Sequence, residues 1–542
     1  MGFILMFSYT VPARILAQKL AIFVVAALMI VAASPQAHAQ NAEFRQAVAQ
    51  AANGDRDLVA FYRERNFEGI WSGSGDRARR GALQAAFDAA ADHGLPAASY
   101  VANDLIARLQ TASTPQEQGR LEVAISRQFL NYARDVQTGV IVPSRIDEAI
   151  QRRVPLRSAV STLRAFAQSN PAAFLRALPP SAPEYARLMG EKARMERLLA
   201  GGGWGPTVPG RKLELGDSGP AVVALRNRLQ AMGYLSRSST QTYDDAIVNA
   251  VQQFQLAHGL ATDGTAGAGT LAEINTPPER RLQAIIVAME RERWINRPRG
   301  ERHIWVNLTD FTAKIIDNGV ETFSTRSVIG ARDRDRVTPE FSDVMEFMVI
   351  NPSWYVPRSI ITKEFLPQLQ NNPNAVNNLI MTDSRGQVID RTAVDFSTFT
   401  EETFPFSMRE PPSQGNALGL VKFMFPNRYN IYLHDTPAKS LFGRETRAYS
   451  HGCVRLADPF DFAYALLSKQ TSNPQEVFQS HLRSGKERRV DIANPVPVHL
   501  VYRTAYTQPE GRMQYRRDVY GRDGRIWNAL AREGVVLRAI RG

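Results

Sequence analysis

From about residue 41 to residue 200 the apolar positions recur at helical spacing, in Ala-rich stretches such as Arg79 to His93 and Glu122 to Arg134. This predicts a set of helices that carry little chemistry. No acid pair or histidine cluster stands out there, so packing is the better reading. Gly201-Gly202-Gly203-Trp204-Gly205-Pro206 then interrupts the pattern, as a linker does. Between Leu213 and Ile274 two short amphipathic helices follow. One places Val222, Leu225, Leu229 and Met232 on a single face, the other Ile247, Ala250, Val251 and Phe254. Asp217-Ser218-Gly219-Pro220 marks a helix start, Asp263-Gly264 a turn, and Thr270 the cap of a third helix.

After Arg302 the period shortens to two. Ile304, Val306 and Leu308 alternate with Trp305 and Asn307, and Ala313 to Asp317 meets Asn318-Gly319 before Thr322 to Val328, a strong hairpin signal. Between Pro357 and Pro412 the strand pattern lapses into a long mixed segment with a helix over Ser359 to Leu366, just before Pro367. Such a loop is usually functional, often a lid. Strand-like text resumes at Leu420 to Phe425 and Tyr429 to Leu433, and returns at Val496 to Tyr502. The fold class expected is multidomain α+β.

Composition limits the function classes. A chain of 542 residues is long enough for about three or four domains. At 44% hydrophobic and 22% charged residues it is a folded globular protein. Arg14 and Lys19, the apolar run Leu20 to Ala33 and the small-x-small text Ala37-His38-Ala39 read as a secretory signal peptide over 1–39. Ser34-Pro35 ends the run short of the roughly 20 residues a membrane span needs. The net charge of +12 suits an anionic surface such as a cell-wall polymer, and export makes nucleic acid the least expected partner. The single cysteine, Cys453, excludes an intramolecular disulfide and any thiolate-rich metal site.

The densest chemistry is Tyr432-Leu433-His434-Asp435, followed by Ser450-His451-Gly452-Cys453-Val454-Arg455. A cysteine nucleophile needs a neighbouring base or positive field to form thiolate near neutral pH. His434 and His451 both qualify by type. His434 is the better base, because it ends a predicted strand that fixes its position, while His451 lies only two residues from the thiol. Gly452 permits a tight turn, and its amide and that of Cys453 are candidate oxyanion donors. Asp435, or its backbone carbonyl, is the nearest group to orient His434. Arg455 either neutralises a substrate carboxylate or pairs with an acid of the fold.

His434 precedes Cys453 by nineteen residues, and with Ser450-His451-Gly452-Cys453-Val454-Arg455 the segment resembles the L,D-transpeptidase (YkuD) catalytic domain. Val349-Ile350-Asn351-Pro352-Ser353-Trp354-Tyr355-Val356-Pro357, Asn416-Ala417-Leu418-Gly419 with Lys422-Phe423-Met424-Phe425-Pro426-Asn427, and Asp518-Val519-Tyr520-Gly521 resemble its large Gram-negative, YcbB-like members. Phe61-Tyr62 through Trp71, with His93-Gly94-Leu95, is similar to their scaffold domain. Leu215-Gly216-Asp217-Ser218-Gly219, Gly233-Tyr234-Leu235 and Asp263-Gly264 resemble the peptidoglycan-binding domain 1 family, although Tyr243-Asp244-Asp245 replaces its usual glycine-containing turn.

The resemblance implies a helical scaffold over 40–200, a linker over 201–212 and a small three-helix peptidoglycan-binding module over 213–276. A β-sandwich-like catalytic domain over 300–480 would carry a capping insertion at 358–412, and strands and a tail at 481–542 would complete the structure. It further implies Cys453 as nucleophile and His434 as base, with Ser450, His451, Gly452, Arg455 and Tyr432 lining the site. Tetrapeptide stems of peptidoglycan would be donor and acceptor in the periplasm, a carbapenem would acylate Cys453, and no cofactor or metal would be needed. Hydrolysis at the same site as an L,D-carboxypeptidase, or an inert wall-binding scaffold, are the rival expectations.

Overall fold

The computed structural model describes residues 34–508 and 512–538, so the basic and apolar part of the leader lies outside the described residues. Helices fill the N-terminal region and strands dominate after Arg302. Two compact units form, the first from the described residues up to Ala91 together with Leu95–Gln137 and Leu156–Pro179. Its helices include Arg56–Glu64, Arg77–Asp88, Pro115–Thr138 and Ala159–Gln168. Asp55 starts the first of these by accepting the Asp57 and Leu58 amides on its carboxylate, each at 3.1 Å. Trp71 packs against Phe129 and Phe166. Below it, the fully buried Glu122 takes the Ile70, Trp71 and Ser72 amides and the Tyr62 hydroxyl. Burial pushes the pKa of Glu122 up and these donors pull it down, so the carboxylate serves to hold a loop.

The second unit holds 92–94, 138–155 and everything from Pro180. Its helices Pro220–Ala231, Asp245–Ala257 and Ala268–Ile274 enclose Val222, Leu225, Leu229, Ile247, Val251 and Phe254, the faces read from the periodicity. Gly219, at φ +111°, opens the first helix immediately before Pro220. Thr270 is not a cap. Gly267 holds that position, while Thr270 sits inside the third helix and accepts from Gln255 Nε2 at 3.1 Å.

The strand-rich region is built on strands β1 (Arg302–Asn307), β2 (Thr312–Asp317), β3 (Val320–Gly330), β4 (Phe341–Ile350), β5 (Trp354–Tyr355), β6 (Ile380–Thr382), β7 (Ser407–Glu410), β8 (Val421–Met424), β9 (Leu433–His434), β10 (Ala448–Ser450), β11 (Val454–Leu456) and β12 (Arg488–Val501). Asn318 and Gly319, at φ +51° and +82°, make the turn between β2 and β3. The large sheet runs β10-β3-β11-β9-β8-β4-β12-β1-β2, and β2 also pairs with the first half of β3, which closes it. Its two walls face each other across Ile304, Val306, Met348, Phe423, Leu433 and Val454, the sandwich-like core.

The capping insertion has its own core, around Leu366, Leu369, Met381, Phe396 and Phe404, and its own sheet, β5-β7-β6. Its helix runs past the stop expected at Leu366. Arg358–Ile360, a widened π turn over Ile361–Phe365 and Leu366–Asn371 follow one another without a break. Pro367 falls in the first turn after the π turn, next to Leu366, whose N–H bonds the Ile361 carbonyl.

Candidate active site

Strands β8, β9 and β11 lie side by side. Their register sets Lys422 opposite His434, and His434 opposite Arg455. Their neighbours Phe423, Leu433, Val454 and Leu456 are buried in the core, so the period of two turns Lys422, His434 and Arg455 together to the other face. These three residues form one rung. Cys453 stands immediately before β11, where the Val454 amide bonds the Tyr432 carbonyl at 3.1 Å and keeps the thiol at the head of the strand pair.

The Cys453 thiol donates to the Asn430 carbonyl at 3.5 Å and receives bonds from the amide and hydroxyl of Tyr432. Burial pushes its pKa up to about 11, and the Tyr432 bonds and the charges of Arg455 and Lys422 only partly oppose this. His434 is pushed down to about 3, first by burial and then by the Arg455 charge, with Lys422 adding to it. Its Nδ1 lies 2.5 Å from the Asp435 carbonyl. Nδ1 is therefore the protonated nitrogen of a neutral ring, and the basic lone pair is on Nε2. Thiol and imidazole are both uncharged at rest, and among the described residues no hydrogen bond joins them.

The loop before the thiol is held from several sides. Ser450 Oγ donates to the Cys453 carbonyl at 2.5 Å and accepts the Gly452 amide at 3.2 Å. Thr338 Oγ1 donates to the Gly452 carbonyl at 2.7 Å and accepts the Gly330 amide at 2.9 Å. Gly452 has φ +108°, and a Cβ there would sit 3.2 Å from Ile431 Cδ1.

Some of the expected site residues are engaged elsewhere, and others sit as expected. The Gly452 amide is already given to Ser450, so it is not free to be an oxyanion donor, whereas the Cys453 amide has no acceptor among the described residues. Asp435 meets His434 through its carbonyl. Its carboxylate is turned to the Leu420 amide (2.9 Å), the Thr436 amide (2.7 Å) and Lys439 Nζ (2.6 Å). His451 faces the insertion, with Nε2 2.6 Å from Glu364 Oε1, an oxygen that Arg336 also reaches at 2.9 Å. Arg455 makes no ion pair among the described residues, and its buried Nε has no hydrogen-bond partner. Tyr432 lies edge-on to His434, with ring centroids 5.6 Å apart.

Lys422, Glu364 and Thr338 escaped the sequence reading of the site. Lys422 gave the only usable signal, as a lone cation in an alternating apolar strand. Among the described residues no three His, Cys, Asp or Glu side chains gather as metal ligands would.

Comparison with known proteins places the rung in context. Residues 301–478 match the L,D-transpeptidase catalytic domain, YkuD. Residues 56–191 match the Scaffold domain and residues 218–274 the family described as "Putative peptidoglycan binding domain". A Haemophilus influenzae protein described as "Putative L,D-transpeptidase" is 31% identical over 242 residues, which cover 44% of this chain and 48% of that protein. The chain thus spans about half the length of that relative. An L,D-transpeptidase structure from Xylanimonas cellulosilytica aligns over 55% of this chain and 98% of its own, at 17% identity and a TM-score of 0.17. One from Stackebrandtia nassauensis aligns over 55% and 97%, at 13% identity and a TM-score of 0.21. Within residues 301–478, His434 and the rung stand on strands, Cys453 immediately before β11, and Glu364 on the insertion.

Proposed function

We propose that the protein is a peptidoglycan L,D-transpeptidase that forms 3→3 cross-links through a thioester on Cys453. The observation that carries this reading is the placement of the single thiol of the sequence at the head of β11, two residues before Arg455, which faces His434 across the strand pair, with His434 Nδ1 tied to a carbonyl. The YkuD match supports the same chemistry.

The reaction runs in two halves. Cys453 Sγ attacks the carbonyl carbon of the third stem residue while its proton passes to His434 Nε2, and the oxyanion is met by the Cys453 amide. The tetrahedral intermediate collapses, the C–N bond breaks, and the leaving D-alanine takes its proton from His434. A thioester remains. The side-chain amine of a diaminopimelate on a second stem then attacks the thioester, losing its proton to His434 as the C–S bond breaks and the thiol re-forms. Because thiol and imidazole rest uncharged, proton transfer accompanies attack and does not precede it. Lys422 and Arg455 stabilise the thiolate as it develops.

The leader and the peptidoglycan-binding match support an exported, periplasmic enzyme associated with the wall. No described helix is long and apolar enough to cross a membrane. A carbapenem is expected to acylate Cys453, and an intact-protein mass without an adduct would count against that.

The deciding experiment incubates the purified protein, with Cys453→Ala as control, with disaccharide tetrapeptide ending in D-alanine and analyses the muropeptides by mass spectrometry. Dimers and free D-alanine from the unsubstituted protein alone are expected. Tripeptide monomers without dimers would make the protein an L,D-carboxypeptidase, and no product would leave a wall-binding scaffold.

A further inference from the structure

The cations that flank His434 have no acid of their own. Lys422 Nζ reaches the Ser353 carbonyl at 3.5 Å and makes no ion pair among the described residues. Its nearest opposing charge is Glu487, whose carboxylate accepts the Ser353 amide. Arg455 has no carboxylate in reach, and its buried Nε is without a partner. Other enclosed cations of this unit are matched by acids, as Arg291 is by Glu340, Arg293 by Glu290 and Lys192 by Glu196, or, like Arg228, are spent on backbone carbonyls. A partly buried charge left unpaired is costly, and it is kept where a ligand supplies the counter-charge. The neighbouring carboxylate, Asp435, is committed to Lys439 on the far side.

We propose that Lys422 and Arg455 bind the free α-carboxylate of the donor's last residue, the one that leaves; this rests on the transpeptidase reading above. The chemistry fits the geometry. In a donor ending in one D-residue, the carboxyl carbon is two bonds from the scissile nitrogen. A carboxylate held on the rung therefore brings that nitrogen to His434, which lies between the two cations and must protonate it. A donor extended by a further residue has an amide in place of that carboxylate and leaves both cations unsatisfied. The site thus selects chain ends, and the enzyme acts one residue from a free C-terminus. The rival role for these cations is to stabilise the thiolate alone, with no part in choosing the donor.

The test measures binding by calorimetry to the Cys453→Ala protein, so that turnover plays no part. The probes are disaccharide tetrapeptide ending in D-alanine and the same compound ending in D-alaninamide. The carboxylate form is expected to bind at least about tenfold more tightly. Adding Lys422→Met or Arg455→Gln should weaken the carboxylate form by about that factor and leave the amide form nearly unchanged, while Lys422→Arg should restore the difference. Equal affinity for the two probes, a preference that survives in both variants, or no binding of either probe would overturn the proposal. Discrimination in binding without any dimer formation by the unsubstituted protein would instead count against the transpeptidase reading and leave the carboxylate site standing. Thermal unfolding of each variant guards against misfolding.

Discussion

Glu364 on the capping insertion and His451 on the loop before Cys453 are joined by a 2.6 Å bond from carboxylate oxygen to Nε2. Arg336 holds the same oxygen at 2.9 Å. The bond ties the insertion to the loop that carries the thiol. Glu364→Ala should therefore loosen the insertion by about 1 kcal/mol, the scale of a partly exposed ion pair. Backbone hydrogen exchange over Arg358–Asn371 is expected to speed up about fivefold. Exchange there that matches the parent protein would show that the insertion is held by other contacts.

The Cys453 thiol, pushed up to about 11, should alkylate slowly at neutral pH in the absence of substrate. Its rate with iodoacetamide should rise about tenfold per pH unit from 7 to 9 and should not level off below pH 9, because the thiolate fraction is still growing there. A plateau below pH 8 would mean that the resting site already stabilises thiolate.

Buried histidines set the acid limit of stability. His93 is pushed down to about 4, and His434 and His499 to about 3, in each case chiefly by burial. All three are neutral in the fold, while the unfolded chain binds protons near pH 6.5. Their contribution is therefore complete above about 6.5 and is lost as pH falls toward 4. The thermal midpoint at pH 5 should lie at least about 5 °C below that at pH 7.5. Equal midpoints would remove the histidines from the account.

Gly419 has φ +63°, and any Cβ there would fall inside van der Waals contact with the Asp435 carboxyl group. Gly419→Ala should displace Asp435, whose carbonyl orients His434. A loss of at least about 2 kcal/mol in stability is expected, with a fall in dimer formation at pH 7. Full activity with an unchanged melting curve would show that the loop yields without moving the base.

Much of the fold was legible in the chain because burial writes a period. The apolar faces of Pro220–Ala231 and Asp245–Ala257, and the Asn318-Gly319 turn, follow directly from side-chain spacing. Cys453 and His434 could be singled out because thiol and imidazole chemistry is rare in this sequence. Pairing register was not legible. Nothing local says that Lys422 faces His434, because that follows from which strands become neighbours. The Glu364 bond to His451 spans 87 residues and was hidden for the same reason. The Gly452 amide looked free until Ser450 Oγ was seen to take it, and Thr270 looked like a cap until Gly267 was seen in its place. Both were choices between residues within three positions of one another, which propensity alone does not settle.

The closed sheet divides the labour of evolution. β9, which carries His434, and β11, which begins directly after Cys453, are hydrogen-bonded to strands on both sides and cannot slide without breaking a ladder. The spacing of Lys422, His434 and Arg455 is a fixed gauge, inherited as a unit. The insertion packs around a core of its own and is bonded to the thiol loop through the Glu364–His451 pair, so most of its surface is free to be rewritten. Change in what the enzyme accepts is therefore expected to accumulate between Arg358 and Pro412, while the bond it breaks stays the same.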